Sequence, residues 1–193
     1  MTPEELRQLI AEGESETVEF KSSLPRADVV ARDIAALANT GRGGTLVIGV
    51  NEREPSKSGI AHPGVAAGHV AEWVEQFVVP PPQIETEMVS IAPGQNLAVV
   101  TIAPSDVLHV TKGGGGAFTR RGAHLVPMQA AELRAAAEHT PQRQLAEALV
   151  SMQSDLEELR QQGGWPRQVA LLLTGTVTGA IVAYLLGLWN PLH

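Results

Sequence analysis

Residues 46–50, Leu-Val-Ile-Gly-Val, contain no polar side chain and follow directly on Gly43, Gly44 and Thr45. A strand with one solvated face alternates apolar and polar side chains, whereas an unbroken apolar run of this length requires cover on both faces. The chain must therefore place this strand inside its core, and Asn51 and Glu52 then fall at its carboxyl end. Upstream, residues 17–21 do alternate: Val18 and Phe20 point into a core, while Thr17, Glu19 and Lys21 share the other face. That second face is polar and has the makings of a site. With 193 residues, 44% of them apolar, the chain is long enough for one domain with a real core plus appendages.

The remaining pattern alternates helices and strands. Residues 3–11 and 26–38 predict helices, the second with a mixed apolar face of Val29, Val30, Asp33, Ile34 and Leu37 that ends near Asn39, a residue suited to a cap or turn. Residues 65–78 predict a third helix, closed by Pro80, Pro81 and Pro82, which cannot continue it. Residues 84–91 and 97–102 read as a hairpin around a turn at residues 92–96. Short strands at 108–110 and 117–119 flank a glycine tract, and residues 129–138 predict the last helix of an interleaved α+β domain.

Three motifs in this order resemble a known family. The Glu14…Glu19-Phe20-Lys21 element, the Ala38-Asn39-Thr40…Gly43-Gly44…Ile48-Gly49-Val50 element and Phe118-Thr119-Arg120-Arg121-Gly122 look like the Schlafen AlbA-like domain, over roughly residues 1–138. In the Schlafen branch the resemblance implies metal-assisted endoribonuclease cleavage of structured RNA such as tRNA or rRNA. That activity is carried by two glutamates of the first motif and an aspartate after the Ile-Gly-Val strand. The matching positions are Glu14, Glu19 and Glu52, the last a departure because the nuclease members carry Asp there. Other members of the family are described only as DNA-binding or ATP-binding modules, so a non-catalytic binding module or a membrane interaction scaffold is the alternative expectation.

If Glu14, Glu19 and Glu52 converge, their repulsion must be relieved by protonation or by a divalent cation, and hard oxygen ligands suit Mg²⁺ or Mn²⁺. The same residue types also fit a plain surface, with Glu19 and Lys21 facing solvent on a strand and Glu14 in a linker. A net charge of −7 argues against constitutive tight binding of nucleic acid, because neutralising phosphates dominates that affinity. Contact with RNA or DNA would have to use a local patch drawn from Lys21, Arg26, Arg32, Arg42, Arg53 and Lys57 near the first motif and Lys112, Arg120 and Arg121 in the later one, with Lys21, Arg42, Lys112, Arg120 and Arg121 assigned to the contact. The absence of cysteine excludes disulfides, iron–sulfur ligation and a thiol nucleophile. The Gly41-Arg42-Gly43-Gly44-Thr45 segment precedes a strand and lacks the Gly-Lys-Ser/Thr of a phosphate loop, and the six histidines show no close metal-ligand spacing. Gly113 to Gly116 fit a surface loop better than an anion nest, and His109 and His124 are candidate partners of the acidic face.

The last part of the chain changes character. Between Gln168 and His193 there is no Asp, Glu, Lys or Arg, and residues 169–189 are apolar enough to cross roughly 30 Å of hydrocarbon as a helix. Trp165 and Trp189 bracket this run as interfacial anchors, and Arg167 on its amino-terminal side predicts that the domain faces the cytoplasm. The first residues, Thr2-Pro3-Glu4-Glu5, read as a polar helix start and predict no secretory signal. Gly175, Gly179, Ala183 and Gly187 form a small-residue stripe along the apolar helix. Before it, Leu145, Leu149, Met152, Leu156 and Leu159 make a short heptad seam, so the two segments together predict a homo-oligomer, with a parallel dimer the simplest form. The expected organisation is thus an AlbA-like domain at 1–138, a short coiled coil and linker at 139–164, and a transmembrane anchor at 165–193.

Overall fold

The computed structural model describes residues 1–112, 116–141, 146 and 150–153. Its centre is a four-stranded sheet in the order β1-β2-β5-β4, built from β1 (Val18–Lys21), β2 (Gly44–Ile48), β4 (Ile84–Ala92) and β5 (Gln95–Ile102). The first two strands are parallel, joined by the crossover helix α2 (Ala27–Ala38), and the other neighbours are antiparallel. β3 (Val78–Val79) pairs with β6 (Val110–Thr111), and β7 (Phe118–Arg121) forms a hairpin with β8 (His124–Pro127). Helix α1 (Pro3–Glu12) opens with a Thr2/Glu5 capping box, α3 (Pro63–Phe77) precedes β3, and α4 (Ala130–His139) follows β8.

The apolar run of β2 is covered on both faces. Leu46 and Ile48 pack with Val30, Ile34 and Leu37 of α2 and with Ala66, Val70 and Val74 of α3. Val47 points the other way, into a cluster with Val18, Phe20, Val89, Leu97, Val99 and Leu6 of α1. A third cluster joins Val79, Leu108, Val110 and Ala117 to the apolar side of α4.

The two glycines at the start of β2, Gly43 just before it and Gly44 its first residue, have a steric cause. A Cβ at Gly43, whose φ is +69°, would collide with the Ile102 carbonyl, and one at Gly44 would collide with the Thr17 carbonyl and the Leu37 side chain. The hairpin from β4 to β5 turns more tightly than the sequence predicts: only Pro93 and Gly94 lie between the strands, and Gly94 takes a φ of +77°. Strand β8 is absent from the sequence reading. Among the described residues no helix is long and apolar enough to cross a membrane. The apolar run at 169–189 and most of the heptad seam lie outside the described residues.

Candidate functional site

Pairing in register places Glu19 beside Leu46 and Lys21 beside Ile48, on the sheet face that carries α2 and α3. The face is therefore not an open polar surface, contrary to both expectations from the alternation. Glu19 is 7% exposed. One of its carboxylate oxygens accepts from Lys21 and the other from Arg120, whose side chain is itself buried at 2% exposure. Arg120 also donates from Nη2 to the carbonyls of Ser15 (2.8 Å) and Val18 (3.2 Å), and from Nε to Ser15 (3.2 Å). Its guanidinium ties β7 to the start of β1.

Lys21 carries the network into α2. Its Nζ lies 3.0 Å from Oδ2 of Asp33, although that oxygen makes no aligned hydrogen bond. Burial raises the Asp33 pKa against the pull of Lys21. Burial likewise works against the Lys21 ammonium, but the carboxylates of Glu19 and Asp33 outweigh it and raise its pKa. Two cations and two anions thus neutralise one another in a space closed by helix, sheet and hairpin. Sequence reasoning saw Asp33 on the apolar stripe of α2 without asking for its partner. A carboxylate on a buried stripe demands one, and that demand was the available signal.

Glu14 sits at the edge of this network. Its Oε1 accepts the Phe20 backbone N–H at 2.8 Å. Burial raises its pKa, the Phe20 bond opposes the rise, and the charges of Glu19 and Glu52 add to it. Glu52 is exposed at the start of the loop after β2, where Asn51 N–H donates to Ser58 Oγ at 3.0 Å. The three predicted carboxylates therefore share a neighbourhood, with Glu14 under the charges of the other two. They do not make a metal cradle: among the described residues no group of three or more His, Asp or Glu side chains could hold a metal ion. Glu19, the middle member, has both oxygens committed to cations, so the residues present do not fit a resident Mg²⁺ or Mn²⁺.

The five predicted nucleic-acid contacts divide in two. Lys21 and Arg120 are internal. Arg42 is exposed and paired with Glu16, Lys112 is exposed with Nζ 3.2 Å from the Gln76 carbonyl, and Arg121 is exposed at 2.9 Å from Glu132. Asn39, at the end of α2, is a tie rather than a contact residue. Its Nδ2 donates to the carbonyls of His109 (2.7 Å) and Phe118 (2.8 Å), and its Oδ1 accepts from His109 N–H (2.9 Å). Of the glycine tract, Gly116 bridges to Thr111, and residues 113–115 lie outside the described residues. His109 is buried with its ring between Ser105 and the Pro80 carbonyl, and His124 is exposed on β8.

A two-faced mixed sheet, with its first strand locked by an arginine from a later hairpin, is the frame that a family model described as "Schlafen, AlbA_2" matches over residues 14–129. The chain belongs to that family. No curated protein matches it. Among solved structures it is similar to the DIP2311 protein from Corynebacterium diphtheriae, at 18% identity and a TM-score of 0.48 over 68% of this chain. The similarity spans 27% of that protein's length.

Proposed function

We propose that this chain is a nucleic-acid-binding module of the Schlafen AlbA type that works without a carboxylate–metal centre and is held at a membrane by its carboxyl-terminal segment. The observation that carries the proposal is Glu19, whose two oxygens are both held by buried or half-buried cations. A ligand carboxylate must present free lone pairs to its metal, and here they serve the fold instead. Contact with phosphate then falls to Arg42, Lys112 and Arg121, whose present partners are exposed and weak enough to exchange. With few such cations and a net charge of −7, binding is weak and strongly salt-dependent. The apolar run at 169–189 supports the tether, and the seam before it supports self-association, which would multiply weak contacts. Electrophoretic mobility shifts of labelled structured RNA and duplex DNA with the full chain test this reading. The Arg42→Ala, Lys112→Ala, Arg121→Ala triple variant loses the shift if the reading holds, and a shift unchanged in that variant overturns it.

A metal-dependent endoribonuclease is the second reading, and one observation favours it: Glu14 feels the charges of both Glu19 and Glu52. That reading requires Glu19 to leave Arg120 and Lys21. It predicts cleavage of structured RNA that disappears in Glu14→Gln, Glu19→Gln and Glu52→Gln.

A further inference from the structure

The connection between β5 and β6 holds a second polar cluster, separate from the Glu19 network. Ser105 Oγ lies 2.7 Å from His109 Nε2, and His109 Nδ1 lies 2.7 Å from the Pro80 carbonyl oxygen. A carbonyl only accepts, so Nδ1 carries the proton and donates to Pro80. In the neutral ring Nε2 is then an acceptor, and the Ser105 hydroxyl donates to it. The ring is 2% exposed, and its backbone is clamped on both sides by Asn39. Burial lowers the pKa of His109, which keeps the ring neutral and able to accept. Ser105 itself is only half-buried. Ser105 Oγ also accepts the Val107 N–H at 3.4 Å.

A hydroxyl bonded to a neutral imidazole, with the imidazole oriented by a third group, is the arrangement that activates a serine. We propose that Ser105 is a nucleophilic serine activated by His109 and that its substrates are activated carboxylic esters. Oγ forms a bond to the ester carbonyl carbon while its proton passes to Nε2. The tetrahedral adduct collapses by breaking the carbon–oxygen bond to the leaving group, which takes the proton from Nε2 and departs as the alcohol or phenol. Water then attacks acyl-Ser105 with the same base, releasing the carboxylic acid and restoring the serine. Burial makes the imidazolium costly, so the base is weak and only esters with good leaving groups react.

The test treats the full-length protein with p-nitrophenyl acetate and, separately, with an alkyl fluorophosphonate, and maps the adducts by peptide mass spectrometry. The exposed serines Ser22, Ser23, Ser56 and Ser90 are internal controls. Ser105 is expected to react at least about tenfold faster than those four, with an acid limb below pH 6.5 because His109 titrates below its ordinary value. His109→Gln keeps a donor for Pro80 and is expected to bring the Ser105 rate down to that of the controls. Should that variant fail to fold, the position of the acid limb decides. Labelling of Ser105 no faster than the controls, or a rate with no acid limb, overturns the proposal and leaves the pair as a clip that fixes the connection.

Discussion

Arg120 makes its contacts with residues more than a hundred positions earlier in the chain, and each is internal to the fold. Removing one partner of a buried ion pair costs about 3–5 kcal/mol, because the other charge is left without compensation. Arg120→Ala should therefore lower the unfolding free energy by about that amount in urea titrations, as the Ser15 and Val18 carbonyls lose their donor as well. If Arg120 were a surface contact for phosphate, the same substitution would leave stability within about 0.5 kcal/mol. Glu14 makes the opposite case. Its pKa is raised in the folded state, so its contribution to stability is fully present below the ordinary carboxyl value of 4.5 and is lost as pH rises through the higher folded value. Glu14→Gln keeps an acceptor for Phe20 N–H and removes the charge. Its melting temperature is expected above that of the parent at pH 7, with the difference vanishing below pH 4.5. A variant less stable than the parent at pH 7 would show that the Glu14 charge stabilises the fold.

At the scale of elements, the junction of α2 with the later strands rests on Asn39. The three hydrogen bonds of its side chain reach the backbone of both His109 and Phe118. Asn39→Ala leaves those groups short of partners and should cost about 2–3 kcal/mol, readable by denaturant titration. Asn39→Asp should be worse, since it replaces two donors with a charge facing two carbonyls. A loss under about 0.5 kcal/mol would show that the junction is held elsewhere. Much of the element order was legible because its signals are local: the unbroken run in β2, the alternation in β1 and the helical pattern of α3, although that helix already ends at Phe77 and Val78, read as its last residue, begins β3 ahead of the prolines. The turn at Pro93 and Gly94 was placed but drawn too long, and β8 was missed because His-Leu-Val-Pro is short and ends in proline. Alternation correctly separated Val18 and Phe20 from Glu19 and Lys21. It could not show what covers the second face, because the cover comes from α2 and from Arg120 on β7. The candidate residues were legible by type, but their roles were set by partners far along the chain.

For the whole molecule, the buried charges cancel and only three of the exposed cations, Arg42, Lys112 and Arg121, are assigned to phosphate, which leaves binding to a thin set of contacts. Each phosphate released from Arg42, Lys112 or Arg121 should lower the slope of log K against log salt by about 0.7–0.9. Each single alanine variant is therefore expected to reduce the slope by about one such step in titrations from 50 to 200 mM salt. Slopes unchanged in all three variants would place the binding surface elsewhere. What most needs testing is that Glu19 is committed to the fold and that Glu14, Glu19 and Glu52 do not make a metal-dependent active site. The most direct measurement is incubation of the full-length protein in lipid vesicles with labelled total tRNA and Mg²⁺ or Mn²⁺, beside Glu14→Gln, Glu19→Gln and Glu52→Gln. Intact tRNA is expected in every lane, with retention on the vesicles that falls as salt rises. Cleavage by the parent protein that is lost in all three variants would contradict it.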